Sequence, residues 1–340
     1  MNKILLKKIS KIYFLFLMFP CVFFSSPSYS FDVGVGVHRS DFKGSDDDLI
    51  KLIKYYHIKS VRLDYHWSDV ERVKGHYQSA NPALDSFIYK LSSNGIKPLL
   101  VLDYGNKFYG NGKPVTKQQV EGFVNYSLWT VNHFKGEVNI FEVWNEWHLQ
   151  KPRYLSMNDE SAKNYVNLVK NVFNSVKDKY PDVSIIAGSF NPTKLVEENW
   201  EHKIFKLGIL NYIDGLSIHT YNNDFNSYLP AKNNLELVDA MELDASRVIG
   251  KEVPVYITEI GISDHSRNKI PEDKIAGFAM DYIQLAYERK YIKGVWWYDF
   301  INDGDDKGDG EDNYGILHSN LKEKVIAKFF RSNLASSKLK

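Results

Sequence analysis

The sequence predicts an α/β fold, a single (β/α)8 barrel of the TIM type, and three observations support this. Short β-branched runs alternate with helical patterns from Asp32 onward. Most of these runs are continuously apolar, as expected for parallel strands that are buried on both faces. Eight such units fill about 310 residues without a linker rich in Pro, Gly or Ser, which favours a closed barrel over an open sheet.

The predicted strands follow one another at regular intervals. They span residues 32–38, 60–64, 98–103, 138–144, 183–189, 215–219, 253–259 and 294–299. Helix start signals stand between these runs, at Ser45, Asn81, Thr116 and Pro271. An open dinucleotide-binding sheet is disfavoured, because Gly34-Val-Gly36 lies inside the first strand and lacks the third glycine of that fingerprint.

The first thirty residues differ from the rest and predict a secretory signal peptide. Four lysines precede the apolar run 12–24, and small residues follow up to Ser30. The run is about thirteen residues long, shorter than the roughly 20 that a spanning helix needs. We therefore expect cleavage after Ser30, no stable membrane anchor afterwards, and a barrel domain of residues 31–340 in the periplasm or outside the cell.

The charge balance disfavours a nucleic acid partner. The chain has 43 Lys and Arg against 42 Asp and Glu, and loss of four lysines with residues 1–30 changes the net charge from +1 to −3. The single cysteine, Cys21, leaves with the same segment. The mature chain then has no disulfide, thiolate metal site or cysteine nucleophile. We expect a monomer.

Polar and aromatic residues collect where the predicted strands end, which is the catalytic face of such a barrel. The candidate substrate-binding or supporting residues are His38, Arg62, Trp67, Asp103, Tyr104, Asn145, Trp147, Asn191, His219, Tyr221 and Trp296. Tryptophan offers a large flat face that suits the apolar face of a sugar ring. Of the adjacent pair Trp296 and Trp297, we expect Trp296 to face the site.

Two glutamates, Glu146 and Glu259, each follow an apolar run directly. Strands four and seven of a barrel face each other across its mouth, and two carboxylates about 5 Å apart perform retaining glycoside hydrolysis, one as nucleophile and one as acid then base. Asn145 is placed to bind a sugar 2-hydroxyl. Arg62 should favour an ionised Glu259, which in turn should raise the pKa of Glu146 and keep it protonated.

These residues lie in passages that resemble the clan A glycoside hydrolases, most of all families 39 and 5. The matching passages are 60–71, 74–77, 95–105, 143–146, 257–261 and 311–315. The resemblance implies a retaining (β/α)8 enzyme in which Glu146 is the acid/base, with Asn145 as its sugar-binding neighbour, and Glu259 is the nucleophile. It places Arg62, His219 and Trp296 in the supporting shell. Since the chain ends soon after its eighth helix, it is more similar to single-domain, exopolysaccharide-acting relatives of family 39 than to two-domain xylosidases or iduronidases.

The predicted function is an exported retaining glycosidase that cuts β-linkages within a polysaccharide, such as an exopolysaccharide or biofilm matrix. Endo action is expected because the loops after the strands are mostly short. Three alternatives stay open: a noncatalytic carbohydrate-binding protein on a glycosidase-like barrel, an exo-acting β-glycosidase, and a transglycosylase.

A metal-dependent hydrolase is disfavoured by the positions of the histidines. His38, His66 and His219 are scattered over strands one, two and six. The acidic segment 303–313 fails as an EF-hand, with Lys307 at the fifth position and Tyr314 where the closing glutamate belongs. We interpret it as a flexible loop on the substrate side, and we expect no metal and no cofactor because retaining hydrolysis requires none.

Overall fold

Eight parallel strands close into a barrel in the computed structural model, which describes residues 31–149, 156–221, 223–224, 227–268 and 270–334. Each strand pairs with its neighbours in sequence, and the first pairs with the last, with Gly34 opposite Trp296. The strands are β1 (Asp32–Gly36), β2 (Ser60–Asp64), β3 (Lys97–Leu102), β4 (Ile140–Val143), β5 (Ser184–Phe190), β6 (Gly215–His219), β7 (Val255–Ile260) and β8 (Ile292–Trp297). The predicted barrel is confirmed, and each predicted strand overlaps an observed one. The predicted signal peptide lies outside the described residues.

One long helix follows each strand. These helices are α1 (Asp46–Tyr55), α2 (Pro82–Ser93), α3 (Lys117–His133), α4 (Asp159–Lys179), α5 (Leu195–Lys206), α6 (Ala231–Ile249), α7 (Glu272–Tyr287) and α8 (Val325–Asn333). Ser45, Asn81 and Thr116 each accept a hydrogen bond from a backbone N–H of the first turn, which is why α1, α2 and α3 begin there. Across the described ranges, none of the helices combines the length and apolar character needed to span a bilayer.

The interior of the barrel changes from apolar to ionic toward the carboxyl ends of the strands. A small apolar cluster of Leu99, Val101, Ile186 and Trp296 lies inside the barrel, separate from the larger core that includes residues of both strands and helices. On β4, Ile140 packs against this cluster and Glu142, two residues further along, is a buried ion. Because side chains alternate along a strand, each step of two residues moves one layer up. The apolar cluster is therefore the floor under a polar layer.

Candidate active site

A cavity of about 470 Å³ opens at the carboxyl ends of the strands. Ligand pockets measure roughly 300–1,000 Å³, so this one is large enough to hold a substrate. The predicted site residues in its wall are His38, Arg62, Tyr104, Asn145, Glu146, Tyr221 and Glu259. The wall also contains residues that we did not predict as site residues, among them Asp64, Lys194, Tyr298, Glu311 and Tyr314.

Glu146 and Glu259 approach each other across the cavity. One carboxylate oxygen of each lies within 4.8 Å of the other and of a His219 ring nitrogen. Glu259 lies on β7, and Glu146 follows β4 in a segment where Trp144 (φ 66°) and Glu146 (φ 45°) have left-handed backbone. Such backbone costs about 1–3 kcal/mol per residue and is concentrated at functional sites. The strained backbone of this segment places the Glu146 side chain in the cavity wall.

The Glu259 carboxylate accepts two short hydrogen bonds. Arg62 Nη1 donates to its Oε1 at 2.6 Å, and the Tyr221 hydroxyl donates to its Oε2 at 2.7 Å. Arg62 also donates from Nη2 to Asn145 Oδ1 at 3.0 Å. One guanidinium therefore fixes both the Glu259 carboxylate and the neighbour of Glu146.

A third glutamate, Glu142, completes the ionic layer below the cavity and was not predicted as a site residue. Its Oε2 accepts from Arg62 Nε at 2.8 Å, and its Oε1 accepts from the hydroxyls of Ser189 (2.8 Å) and Thr258 (3.0 Å). Burial alone raises the pKa of Glu142, but the charges of Arg62 and His219 and the hydrogen bonds from Arg62 and Ser217 together hold it below its ordinary value. An acid inside the otherwise apolar strand Ile140–Val143 was the sequence signal for it.

The expected upward shift of the Glu146 pKa is wrong. His219 Nδ1 lies 2.9 Å from Glu146 Oε1 and 3.5 Å from Glu259 Oε2. Burial alone raises the pKa of Glu146, but the hydrogen bond and positive charge of His219, together with the weaker influence of His148 and Arg62, lower it by more. Burial lowers the pKa of His219, and the two carboxylates raise it by more. The histidine thus offsets the repulsion between the glutamates that we expected to keep Glu146 protonated.

Two of the histidines that we described as scattered each join carboxylates. His38 Nδ1 hydrogen-bonds to Asp303 Oδ1 at 2.8 Å and lies 3.5 Å from Asp299 Oδ2, because barrel closure brings β1 beside β8. The bond to Asp303 raises the pKa of His38 to about 10. Within the described residues, His38 with Asp299 and Asp303, and His219 with the two glutamates, are the groups close enough to hold a metal ion. In both groups the histidine already has a carboxylate partner.

Three predicted tryptophans lie outside the cavity wall. Trp67 is buried, stacks on Tyr109 and donates to Glu71, while the Trp147 indole is also buried and donates to Ser161. Trp296 points into the barrel but does not face the site as expected, since it belongs to the apolar floor and donates to Ser60. The aromatic groups in the wall are instead the tyrosines Tyr104, Tyr221, Tyr298 and Tyr314.

Two further predicted residues, Asn191 and Asp103, do not line the cavity but hold other residues near it. Asn191 is buried and donates to the backbone oxygen of Tyr221. Asp103 is buried and hydrogen-bonds to His66 Nδ1 at 2.9 Å, which raises the pKa of His66 to about 9. Asn191 thus holds the backbone of Tyr221, whose side chain lies in the cavity wall, whereas Asp103 holds His66, which lies outside that wall.

The acidic segment 303–313 lies beside the cavity, as predicted, and supplies Glu311 to its wall. The segment is held by an ion pair between Lys307 and Asp264 (3.2 Å) and by a hydrogen bond from the Ser263 hydroxyl to Gly310 O (2.7 Å). The expectation of mostly short loops fails here, since residues 298–324 separate β8 from α8. The long loop narrows the mouth of the barrel from one side.

Comparison with known proteins identifies a family and several structural relatives. The cellulase family, glycosyl hydrolase family 5, matches residues 29–300. A family 39 glycoside hydrolase from the gut symbiont Bacteroides cellulosilyticus WH2 is 27% identical with a TM-score of 0.75, and the match covers 91% of this chain and 64% of that one. The present chain therefore spans under two thirds of that relative. No curated protein matches.

Two more distant structures share the fold. A family 39 enzyme from Xanthomonas axonopodis pv. citri is 17% identical with a TM-score of 0.67, covering 88% of this chain and 65% of that one. A β-glucosidase from Exiguobacterium marinum is 15% identical with a TM-score of 0.63, covering 85% of this chain and 86% of that one.

Proposed function

The chain belongs to the cellulase family, glycosyl hydrolase family 5, and is a clan A glycoside hydrolase; from that premise we propose that it hydrolyses β-glycosidic bonds with retention, with Glu259 as nucleophile and Glu146 as acid/base. The observation that carries the proposal is the close approach of the two carboxylates, within 4.8 Å oxygen to oxygen. Retaining glycosidases hold their carboxyl groups about 5–5.5 Å apart, whereas inverting enzymes leave about 6.5–9.5 Å for a water molecule.

In the first step, Glu259 Oε attacks the anomeric carbon, the bond from that carbon to the leaving oxygen breaks, and the oxygen takes a proton from Glu146. In the second step, Glu146 removes a proton from water, the water oxygen bonds to the anomeric carbon, and Glu259 leaves as a carboxylate. Arg62 and Tyr221 hold the Glu259 carboxylate in place through their hydrogen bonds. Asn145 is the neighbour placed to bind the sugar 2-hydroxyl.

The transferable proton resides on the Glu146–His219 pair. In the free enzyme it lies on the ring, since the pKa of Glu146 is lowered and that of His219 is raised. His219 is fully buried and its Nε2 has no partner among the described residues, whereas 30% of the Glu146 side chain is exposed. When substrate excludes water, a separated charge pair loses solvation and the neutral pair is favoured. Glu146 is then the member that delivers the proton to the sugar.

The substrate that we propose is a β-linked polysaccharide cut at internal bonds by an exported, monomeric enzyme. Residues 1–30 have the pattern of a signal peptide, which supports export. The polar wall of the cavity, with carboxylates, tyrosine hydroxyls and amides, suits the hydroxyl groups of sugars. Exo action and transglycosylation use the same residues and are distinguished by the products.

Product analysis tests the proposal. We would incubate the mature protein with plant, fungal and bacterial polysaccharides, beside Glu259→Ala and the control Glu121→Ala, which lies exposed on α3. We expect oligosaccharides from at least one polymer, first released as the β-anomer by NMR, with the control active and Glu259→Ala inactive. Monosaccharides alone would indicate an exo-enzyme. Release of the α-anomer first, or unchanged turnover by Glu259→Ala, would overturn the proposal.

The acid/base role has its own test. Glu146→Ala should lose about 10²–10⁴-fold in kcat/KM on a substrate with a poor leaving group, because general acid catalysis contributes that much. It should lose far less on a dinitrophenyl glycoside, whose leaving group needs little protonation. Equal losses on both substrates would contradict the assignment.

A further inference from the structure

A second cavity, of about 370 Å³, adjoins the one that holds the glutamates and takes no part in the chemistry above. Val37, His38 and Asp64 line both cavities. Beyond this shared wall, the second cavity extends over the loops after β1 and β2 to the start of α2, where Ala83 lines it. A chain that leaves the first cavity past Asp64 therefore enters the second.

The wall of the second cavity combines apolar side chains with charged ones, and its cations are already paired. Arg39 Nε donates to Asp46 at 2.7 Å, and His66 is held by Asp103. Two carboxylates in the wall, Asp64 and Asp69, have neither an ion pair nor a side-chain hydrogen bond with any other described residue. These acids are free to accept hydrogen bonds from hydroxyl or ammonium groups, and they oppose an anionic ligand.

A ring pair connects the two spaces. The His66 ring stacks on the Tyr104 ring, with centroids 5.8 Å apart and planes 24° apart. Tyr104 lines the first cavity and His66 lines the second. The Tyr104 hydroxyl accepts from Asn145 at 2.9 Å, which ties this pair to the neighbour of Glu146.

We propose that the second cavity is a glycan subsite that holds sugar units of the same chain beyond the one at the glutamates, and that it takes uncharged or amino sugars rather than uronic acids. The proposal rests on the proposed function and deepens it. It makes chain length a determinant of rate, since each added unit that reaches the second cavity gains contacts with Asp64, Asp69 or His66. The distant units then bind in the second cavity, whereas the reaction takes place at Glu146 and Glu259 in the first.

Blocking the second cavity tests the proposal. Ala83 is exposed, is the second residue of α2 and touches none of the residues assigned to the reaction. Ala83→Trp fills the space, while the hydrogen bond from its backbone N–H to Asn81 Oδ1 (2.9 Å) can remain. The matched control is Gln118→Trp, since Gln118 is the exposed second residue of α3 and lies in the wall of neither cavity.

The probes are cello-, laminari-, xylo-, manno- and glucosamine oligosaccharides from dimer to hexamer. For a ladder that the wild type cleaves, kcat/KM should rise with length, and Ala83→Trp should lose about tenfold or more on the longer members, as expected for one or two lost hydrogen bonds. Its rate on the shortest cleaved member, and all rates of Gln118→Trp, should match the wild type. If kcat/KM rose with oligosaccharide length as steeply in Ala83→Trp as in the wild type, the proposed subsite would be refuted.

The chemical class is tested with the inactive Glu259→Ala protein by calorimetry. Neutral or glucosamine oligosaccharides should bind, and Ala83→Trp in the same background should weaken that binding, whereas galacturonate oligosaccharides of equal length should bind less tightly. Tighter binding of the galacturonates would overturn the assigned class. If the wild type cleaves no ladder and no polymer of the earlier panel, the proposed function fails and the subsite fails with it.

Discussion

Arg62, on β2, bonds to side chains of two other strands or their ends, namely Glu142 and Asn145 at β4 and Glu259 on β7. It is 7% exposed, and Glu142 is fully buried. Ion pairs of this kind stabilise little compared with apolar residues, but removal of one partner leaves an uncompensated buried charge. Arg62 is therefore required both for folding and for the geometry of the site.

Substitution of Arg62 tests both requirements. Arg62→Met should lower the free energy of unfolding by roughly 3–5 kcal/mol, because two carboxylates lose their cation. Arg62→Met combined with Glu142→Leu should recover part of this loss and remain inactive, since Glu259 still lacks its donor. Urea unfolding at pH 7, together with kcat, measures both effects. If Arg62→Met alone were as stable as the wild type, this prediction would be wrong.

The Glu146–His219 pair predicts a change in pH dependence. In the wild type, the proton of the pair is lost with the raised pKa of His219. In His219→Asn the proton can be lost only from the carboxyl group of Glu146, so the alkaline limb of the kcat/KM profile should move to lower pH. A merely structural effect would lower the whole profile without moving the limb. An alkaline limb that stays in place would count against the pair.

At the scale of elements, β1 and β8 meet through a glycine that makes room for an indole. A Cβ at Gly34 would lie 2.3 Å from the Trp296 side chain and 2.9 Å from Ser60 O. The absent side chain leaves room for the Trp296 indole in the apolar floor, where it donates to Ser60. This close approach belongs to the seam where the first and last strands close the barrel.

Gly34→Val should therefore destabilise the protein by about 1–3 kcal/mol or more through overpacking. The control is Gly277→Ala, since a Cβ at Gly277 in α7 meets open space. That change should stabilise the protein by about 0.5–1 kcal/mol, because alanine is the better helix former. Chemical denaturation of both variants gives the comparison, and equal effects in the two would refute the seam argument.

At the scale of the whole molecule, the loops after β1 and β8 are linked by the ion pair of His38 with Asp303. The folded state raises the pKa of His38 to about 10, above the value of about 6.5 for an unfolded chain. A raised histidine pKa contributes stability that is fully present below about pH 6.5 and is lost as the pH rises through about 10.

The difference in unfolding free energy between wild type and His38→Asn should thus be largest near pH 6 and should shrink by about pH 10.5. His76→Asn, on an exposed turn, serves as the matched control and should behave as the wild type at both pH values. Urea unfolding at the two pH values gives the result. A difference that is constant with pH would show that the raised pKa of His38 does not contribute.

The sequence by itself determined the barrel, its strand order and four of the eight helix starts. Continuous apolar runs and capping residues act over a few neighbouring positions, so they can be read without knowing the fold. For the same reason, the residues at strand ends could be named, and the structure brings Arg62, Asn145, Glu146 and Glu259 together in one cavity wall.

Only the tertiary structure decided which layer each inward residue occupies and which partner it meets. Alternation along β8 and into the residue after it makes both Trp296 and Tyr298 inward residues, but the register of the closed barrel puts Trp296 in the floor and Tyr298 in the cavity wall. The direction of the Glu146 pKa depends on His219, which is 73 residues away in sequence and 2.9 Å away in space. Electrostatic shifts depend on such distances, and distances between strands are set by closure of the barrel rather than by local sequence.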